Sequence, residues 1–186
     1  MRGGERAWLR SRRGEELGVW LGRFTPATPF WEAGPWRWQA AEALGGRAAA
    51  LLRAGAVRAA AAAYGQALRV AVAAGGAPPL PPARAMPKAE LHAGLALCQL
   101  RLGLPAAAAG NAQKALELRP QHLEARFRRA LAAAAMRDLE AAAEDLREVL
   151  RAQPGHAEAR RELGRVRGEA RERDARLARR LGRLFA

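Results

Sequence analysis

The chain has 186 residues, enough for one domain or one domain plus a fragment. Half of the residues are hydrophobic but only 5% are aromatic, with alanine supplying most of the apolar fraction, which excludes a core of large rings and favours closely packed helices. The formal charge of +14 comes from 30 Arg and 2 Lys; the single cysteine, Cys98, excludes an internal disulfide, and no apolar run approaches the ~20 residues of a membrane-spanning helix.

Residues 1–38 hold all five tryptophans: Trp8, Trp20, Trp31, Trp36 and Trp38. The stretch GVWLGRFT (18–25) alternates enough to predict a strand. TPATPFWEAGPW (25–36), with three prolines, reads as a linker. From Gln39 the pattern becomes helical, and the expected helices are 39–54, 57–74, 88–103, 105–118, 121–136, 138–152 and 156–183. Gly55 and Gly103 suit helix C-caps, Pro105 suits a first helical turn, and Asp138 suits an N-cap. AAGGAPPLPPARAMP (73–87) reads as a Gly/Pro loop that cannot stay helical. In the last helix, residues 160–183, ten Arg outnumber the acids. MRGGERAWLRSRRGEELG at the start lacks the apolar stretch of a signal peptide, so a soluble intracellular protein, cytoplasmic and also nuclear, is expected.

Two stretches reveal the architecture. PQHLEAR (120–126) and PGHAEAR (154–160) share five of seven letters at an offset of 34 residues. A helix–turn–helix period of this length is that of the tetratricopeptide repeat (TPR). His122 and His156 then occupy the same interhelix turn of successive units, an architectural place rather than a pair of sites. With each Pro at repeat position 32, Ala96 and Ala130 fall at position 8, Ala108 and Ala142 at position 20, and Ala115 and Val149 at position 27. Ala67 takes position 27 of the first unit, 48 residues before Ala115, which is one period plus a 14-residue Gly/Pro insertion. The expected fold is all-α: a superhelix of three helix pairs (39–74, 88–120, 121–154) and a capping helix at 156–183, behind a short N-terminal strand and linker at 1–38.

Little else carries chemistry. His92, His122 and His156 match no zinc spacing, and neither metal nor cofactor is expected. Cys98 reads as a small buried hydrophobe. The acids of DLEAAAEDLRE (138–148) fall at helical spacing and read as a solvated face with Arg137 and Arg147. No nucleophile motif, phosphate loop or paired-carboxylate site stands out, so an enzyme is not expected. The Arg-rich last helix offers an alternative, nucleic-acid binding with steep salt dependence. It carries no aromatic for base stacking apart from nearby Phe185, so neither nucleic acid nor membrane is the expected partner.

The repeats behind VWLGRFTPATPFWE (19–32) resemble the C-terminal half of FKBP-type immunophilins. In that family the terminal strand of the isomerase domain ends in Phe and a Trp-Glu pair follows seven residues later, as Phe24 and Trp31-Glu32 do here. LLRAGAVRAAAAAYGQALRV (51–70), ELHAGLALCQLRLG (90–103), PQHLEARFRRALAAAAMRDLEAAAEDLREVL (120–150) and ARLARRLGRLFA (175–186) extend the resemblance over about 18–186. It implies a truncated product, fragment or divergent remnant that keeps only the last strand of the isomerase domain. A second implied reading is part of a prolyl isomerase whose catalytic domain lies outside this chain. The resemblance further implies a non-enzymatic co-chaperone or adaptor whose repeats cradle the acidic C-terminal tail of heat-shock protein 90. Through it the adaptor would reach client proteins such as a cyclin-dependent kinase inhibitor or steroid receptors. In the family a Lys or Arg and an Asn of repeat one, an Asn of repeat two, and a Lys and an Arg of repeat three grip the tail's carboxylates. These positions fall on Gly45, Ala49, Gly94, Glu124 and Arg128, of which only Arg128 keeps the chemistry. A hydrogen bond to a charged group contributes roughly 1.5–3 kcal/mol, so losing several weakens tail binding by orders of magnitude. Arg126, Arg129, Arg101, Arg47 and Arg53 are the nearby cations left to substitute.

Overall fold

A computed structural model describes residues 6–10, 14, 16–20, 36–75 and 80–183. The chain divides into two units, Met1–Ala33 and Gly34–Ala186. In the first, strands β1 (Arg6–Arg10) and β2 (Glu16–Trp20) pair antiparallel, from Arg6 opposite Trp20 to Arg10 opposite Glu16. Gly18 faces Trp8, and a Cβ there would lie 3.0 Å from the indole, so the small residue lets the ring cross the hairpin. The sequence places a strand at 18–25, whereas β2 begins two residues earlier. Residues 21–35, with Phe24, Trp31 and Glu32, lie outside the described residues. β1 has no counterpart among the expected elements, because five residues bounded by Arg give no readable alternation.

The second unit holds α1 (Trp36–Arg53), α2 (Val57–Ala73), α3 (Pro82–Arg101), α4 (Pro105–Leu118), α5 (Leu123–Ala135), α6 (Leu139–Ala152) and α7 (Ala157–Gly182). Each helix packs on the next; α1 also touches α3, α3 touches α5, and α5 touches α7. The first helices of successive pairs therefore share one face. The period explains why they approach so closely. Ala48, Ala96 and Ala130 in the first helices and Ala60, Ala108 and Ala142 in the second are all fully buried, as are Ala67, Ala115 and Val149. A side chain of one carbon lets two backbones meet, which larger residues would forbid. Trp38, Tyr64, Leu68, Leu91 and Cys98 fill the core at one end of the unit. Phe127, Leu146, Val149, Leu163 and Val166 fill it at the other. Burial pushes the Cys98 thiol up, away from a reactive thiolate.

The repeated motif is a helix start used twice. His122 and His156 are the N-caps of α5 and α7, their Nδ1 atoms accepting from the Ala125 and Ala159 amides at 3.4 and 3.2 Å. Accepting requires an unprotonated Nδ1. Arg126 and Arg160 each donate back to the carbonyl of the leading proline, Pro120 and Pro154, at 3.0 and 2.6 Å. Ala125 and Ala159 are buried against the preceding pair. Asp138 caps α6 in the same way, accepting from the Ala141 amide at 3.1 Å.

At the helix ends, Gly55, Gly103 and Arg137 stand at equivalent repeat positions and all adopt positive φ, of +78°, +71° and +68°. A left-handed conformation costs a residue with a Cβ roughly 1–2 kcal/mol. Arg137→Gly is therefore expected to raise stability by about 1 kcal/mol once the greater freedom of glycine in the unfolded chain is counted. The exposed Arg137–Glu169 pair that it removes contributes little. A urea midpoint no higher than that of the parent chain would contradict this.

Three expectations need correction. The boundary placed after Trp38 falls inside α1, which begins at Trp36, so Trp36, Arg37 and Trp38 are helical rather than linker. The Gly/Pro loop is shorter than expected, because α3 begins at Pro82. Pro82 occupies the first helical position, where a missing N–H costs nothing, and Pro87 inside the helix removes a single backbone bond. Asp145 is not on a solvated face. It is buried, and Arg129 grips it with Nε on Oδ2 at 2.7 Å and Nη2 on Oδ1 at 2.6 Å. Arg137 pairs with Glu169 of α7, not with the acids of its own neighbourhood.

His92 is also buried. Its Nδ1 is 2.9 Å from Asn111 Oδ1, and Asn111 Nδ2 donates to Gln99 Oε1 at 2.9 Å, tying α3 to α4. Burial depresses the imidazole's pKa; the bond to Asn111 opposes this, Lys114 and Lys88 add to it, and Glu117 opposes it. The unfolded chain thus takes up a proton that the folded chain resists. Stability from this group is complete above about pH 6.5 and falls as pH drops below it, by at most about 1.4 kcal/mol per pH unit. The difference between parent and His92→Gln in denaturant melts at pH 7.5 and 5.5 isolates this contribution. An equal loss in both chains would assign the pH dependence elsewhere.

Candidate peptide-binding groove

Four of the five clamp-equivalent positions, Gly45, Ala49, Gly94 and Arg128, line a single groove of about 590 Å³. It opens between α1 and α3, with Tyr64 of α2 reaching it from behind and Arg128 of α5 closing one end. The fifth position, Glu124, is not in the lining. It lies on the turn before Arg128 and accepts from Arg128 Nη2 at 3.0 Å. The one cation kept at a clamp position is therefore already neutralised by its neighbour.

The floor is apolar for a steric reason. A Cβ at Gly94 would lie 2.4 Å from the Tyr64 ring, and one at Gly45 would lie 2.6 Å from Leu91 Cδ2. Two helices separated by a glycine let the neighbouring side chain fill the place where a polar donor would project. Trp38, Leu52 and Leu97 form the walls. Burial pushes the Tyr64 phenol up, an effect to which Cys98 adds and which Arg128 opposes, so the hydroxyl stays neutral. Gly46 has no heavy atom within 4 Å of a Cβ position and leaves the mouth wide.

The 34-residue offset exposes a further pattern. Glu42, Glu90 and Glu124 stand at equivalent repeat positions, one helical turn before Gly46, Gly94 and Arg128. Glu42 and Glu90 line the groove. Glu90 accepts from Arg119 Nη1 at 3.1 Å and lies 3.3 Å from His122 Nε2, an electrostatic contact outside good hydrogen-bond geometry. Glu42 is exposed and has no ion pair among the described residues. Tyr64, Glu42 and Glu90 are the groove residues that reading the clamp positions alone misses, and the period was the signal for the two acids.

The cations named as substitutes do not converge here. Arg126 and Arg129 hold Asp145, and the bond to Asp145 raises the Arg129 guanidinium's pKa against the opposing effect of burial; Arg129 also donates to Gln113 Oε1. Arg47, Arg53 and Arg101 are exposed and outside the lining. A cluster of positive charge lies elsewhere, where Arg176, Arg179, Arg180 and Arg183 flank exposed Leu177 and Leu181 near the end of α7. Among the described residues no group of three His, Cys, Asp or Glu side chains could hold a metal ion, and no helix is long and apolar enough to cross a membrane.

The human FK506-binding protein-like is 39% identical over 185 residues, covering 98% of this chain and 51% of the human protein. The mouse protein of the same name is 42% identical over 140 residues, covering 75% of this chain and 39% of its own. This chain is a relative of the FK506-binding protein-like proteins. It spans about half, or less, of the length of the relatives it matches. No protein-family model matches it. The fold is that of a TPR domain. The C-terminal TPR-containing domain of an FK506-binding protein from Plasmodium falciparum superposes with a TM-score of 0.68 at 17% identity, covering 75% of this chain and 93% of that one. The first TPR of Spaghetti (RPAP3), solved with the HSP90 peptide SRMEEVD, superposes with a TM-score of 0.59 at 24% identity, covering 71% and 94%.

Proposed function

We propose that the chain is a non-enzymatic adaptor whose TPR groove docks a chaperone tail and links heat-shock protein 90 to client proteins, from the cytoplasm and also the nucleus. The observation that carries this reading is the convergence of Gly45, Ala49, Gly94 and Arg128 on one groove, in a fold shared with a domain solved with an HSP90 peptide. The same reading takes the segment before α1, residues 1–35, as the remnant of an FKBP-type domain and its linker. The clamp is degraded: Arg128 is paired to Glu124, and the other positions bear no donor. What remains for an acidic tail is the field of a +14 chain. That field is screened over about 8 Å at physiological salt.

Titration calorimetry with the peptide SRMEEVD, as free acid and as amide, tests this. Binding is expected to be weak, to collapse between 50 and 300 mM salt (about a twofold shortening of the screening length), and to differ little between acid and amide. A salt-resistant micromolar complex with the free acid alone, lost in Arg128→Ala, would show that a working carboxylate clamp had been misjudged as degraded.

A further inference from the structure

We propose that the preferred occupant of this groove is an internal peptide segment carrying a bulky apolar side chain next to a basic residue, not a terminal carboxylate. The inference rests on the reading of this face as the peptide groove and names the ligand class. A groove of about 590 Å³ is within the range of small-ligand sites and holds a large aliphatic or aromatic side chain with adjoining backbone. Its floor of Tyr64, Leu91 and Gly94 is apolar apart from the Tyr64 hydroxyl, and clamp positions 45 and 94 present no charged or amide donor, because their Cβ positions are occupied by their neighbours.

Charge decides the rest. A carboxylate entering the groove would meet Glu42 and Glu90, and would compete with Glu124 for Arg128. Burying an unpaired carboxylate beside acids is costly. A cation meets the opposite situation. Glu42, three residues before Gly45 and seven before Ala49, lies on the same face of α1 and has no ion pair among the described residues. The apolar side chain would fill the space above Tyr64 beside Gly46, and a neighbouring Arg or Lys would reach Glu42 at the lip. Complementary charge at the rim would set which peptides enter, and the apolar anchor would set how long they stay.

The test uses the full chain and three N-acetylated, C-amidated nonapeptides: a Trp-Arg pair in a Gly/Ser background, its Ala-Arg variant and its Trp-Glu variant. The SRMEEVD free acid is run beside them. The Trp-Arg peptide is expected to bind at least tenfold tighter than each of the other amides and to lose less affinity with salt than SRMEEVD does. Glu42→Arg should reverse the preference to Trp-Glu. Gly46→Leu should fill the groove and abolish Trp-Arg binding while leaving the helical circular dichroism and melting midpoint at or above the parent value, since glycine is the poorer helix former. Equal binding of Trp-Arg and Ala-Arg, or an unchanged preference in Glu42→Arg, overturns the proposal. Binding of SRMEEVD alone would overturn it while keeping the adaptor reading. Failure of every peptide would overturn both.

Discussion

Asp145→Ala is expected to lower stability by about 3 kcal/mol, the largest loss from any single polar group in the repeats. Asp145 is 4% exposed, and its carboxylate accepts from Nε and Nη2 of Arg129, with Arg126 at 3.7 Å. Removing one member of a buried ion pair leaves the partner charge uncompensated and typically costs 3–5 kcal/mol. The arginines are each about a quarter to a third exposed, at 25% and 31%, and can turn toward water, which puts the cost at the low end. Asp145→Asn should lose nearly as much, because it keeps the shape but not the charge, whereas Glu144→Ala on the exposed neighbouring position should move the urea midpoint very little. If Asp145→Asn melted with the parent chain, the site would be held by packing rather than charge.

Asp145 also marks where the sequence stops being readable. Periodicity locates a residue on its own helix but says nothing of which neighbouring helix supplies its partner. Among the acids at 138–148, Asp138 caps a helix, Glu140 reaches Arg173 of α7, Glu148 pairs locally with Arg151, and Asp145 is buried. All look alike at the level of spacing. The alanines at repeat positions 8 and 20 were legible because each answers a constraint repeated in every unit: two backbones must meet there. The same logic made the left-handed ends at Gly55 and Gly103 readable, while Arg137 hid because its side chain disguises a glycine-like position. Pro87 misled because proline ordinarily stops a helix, yet near a helix start it removes only one bond. In the groove, the clamp positions were found by offset alone. That Tyr64 covers Gly94 was not, since it is a contact between successive repeats with no local signature.

That contact sets the condition for rebuilding a clamp. Putting Asn at 94, together with Ala49→Asn and Glu124→Lys, would restore three of the four lost donors on paper, leaving only Gly45 without one. The structure gives Asn no room, with Tyr64 Cζ 2.4 Å and the phenol oxygen 2.8 Å from the Cβ position. Gly94→Asn alone is therefore expected to cost about 2–3 kcal/mol through overpacking, against a gain in helix propensity of under about 1 kcal/mol. Tyr64→Ala alone should cost about 3 kcal/mol by leaving a cavity in a core that is nearly closed to solvent. The two together should lose at least about 1 kcal/mol less than the sum, because each relieves the defect of the other. Binding should follow the same coupling. With Tyr64 in place, the rebuilt groove should still not distinguish the free acid of SRMEEVD from its amide. With Tyr64→Ala added, the free acid should win by tenfold or more, since each charge-assisted hydrogen bond contributes roughly 1.5–3 kcal/mol. Strict additivity of the two stabilities would mean that Tyr64 and Gly94 do not contend for the same space. Acid-selective binding with Tyr64 retained would mean that the ring swings aside at little cost, and that the groove is more adaptable than its packing indicates.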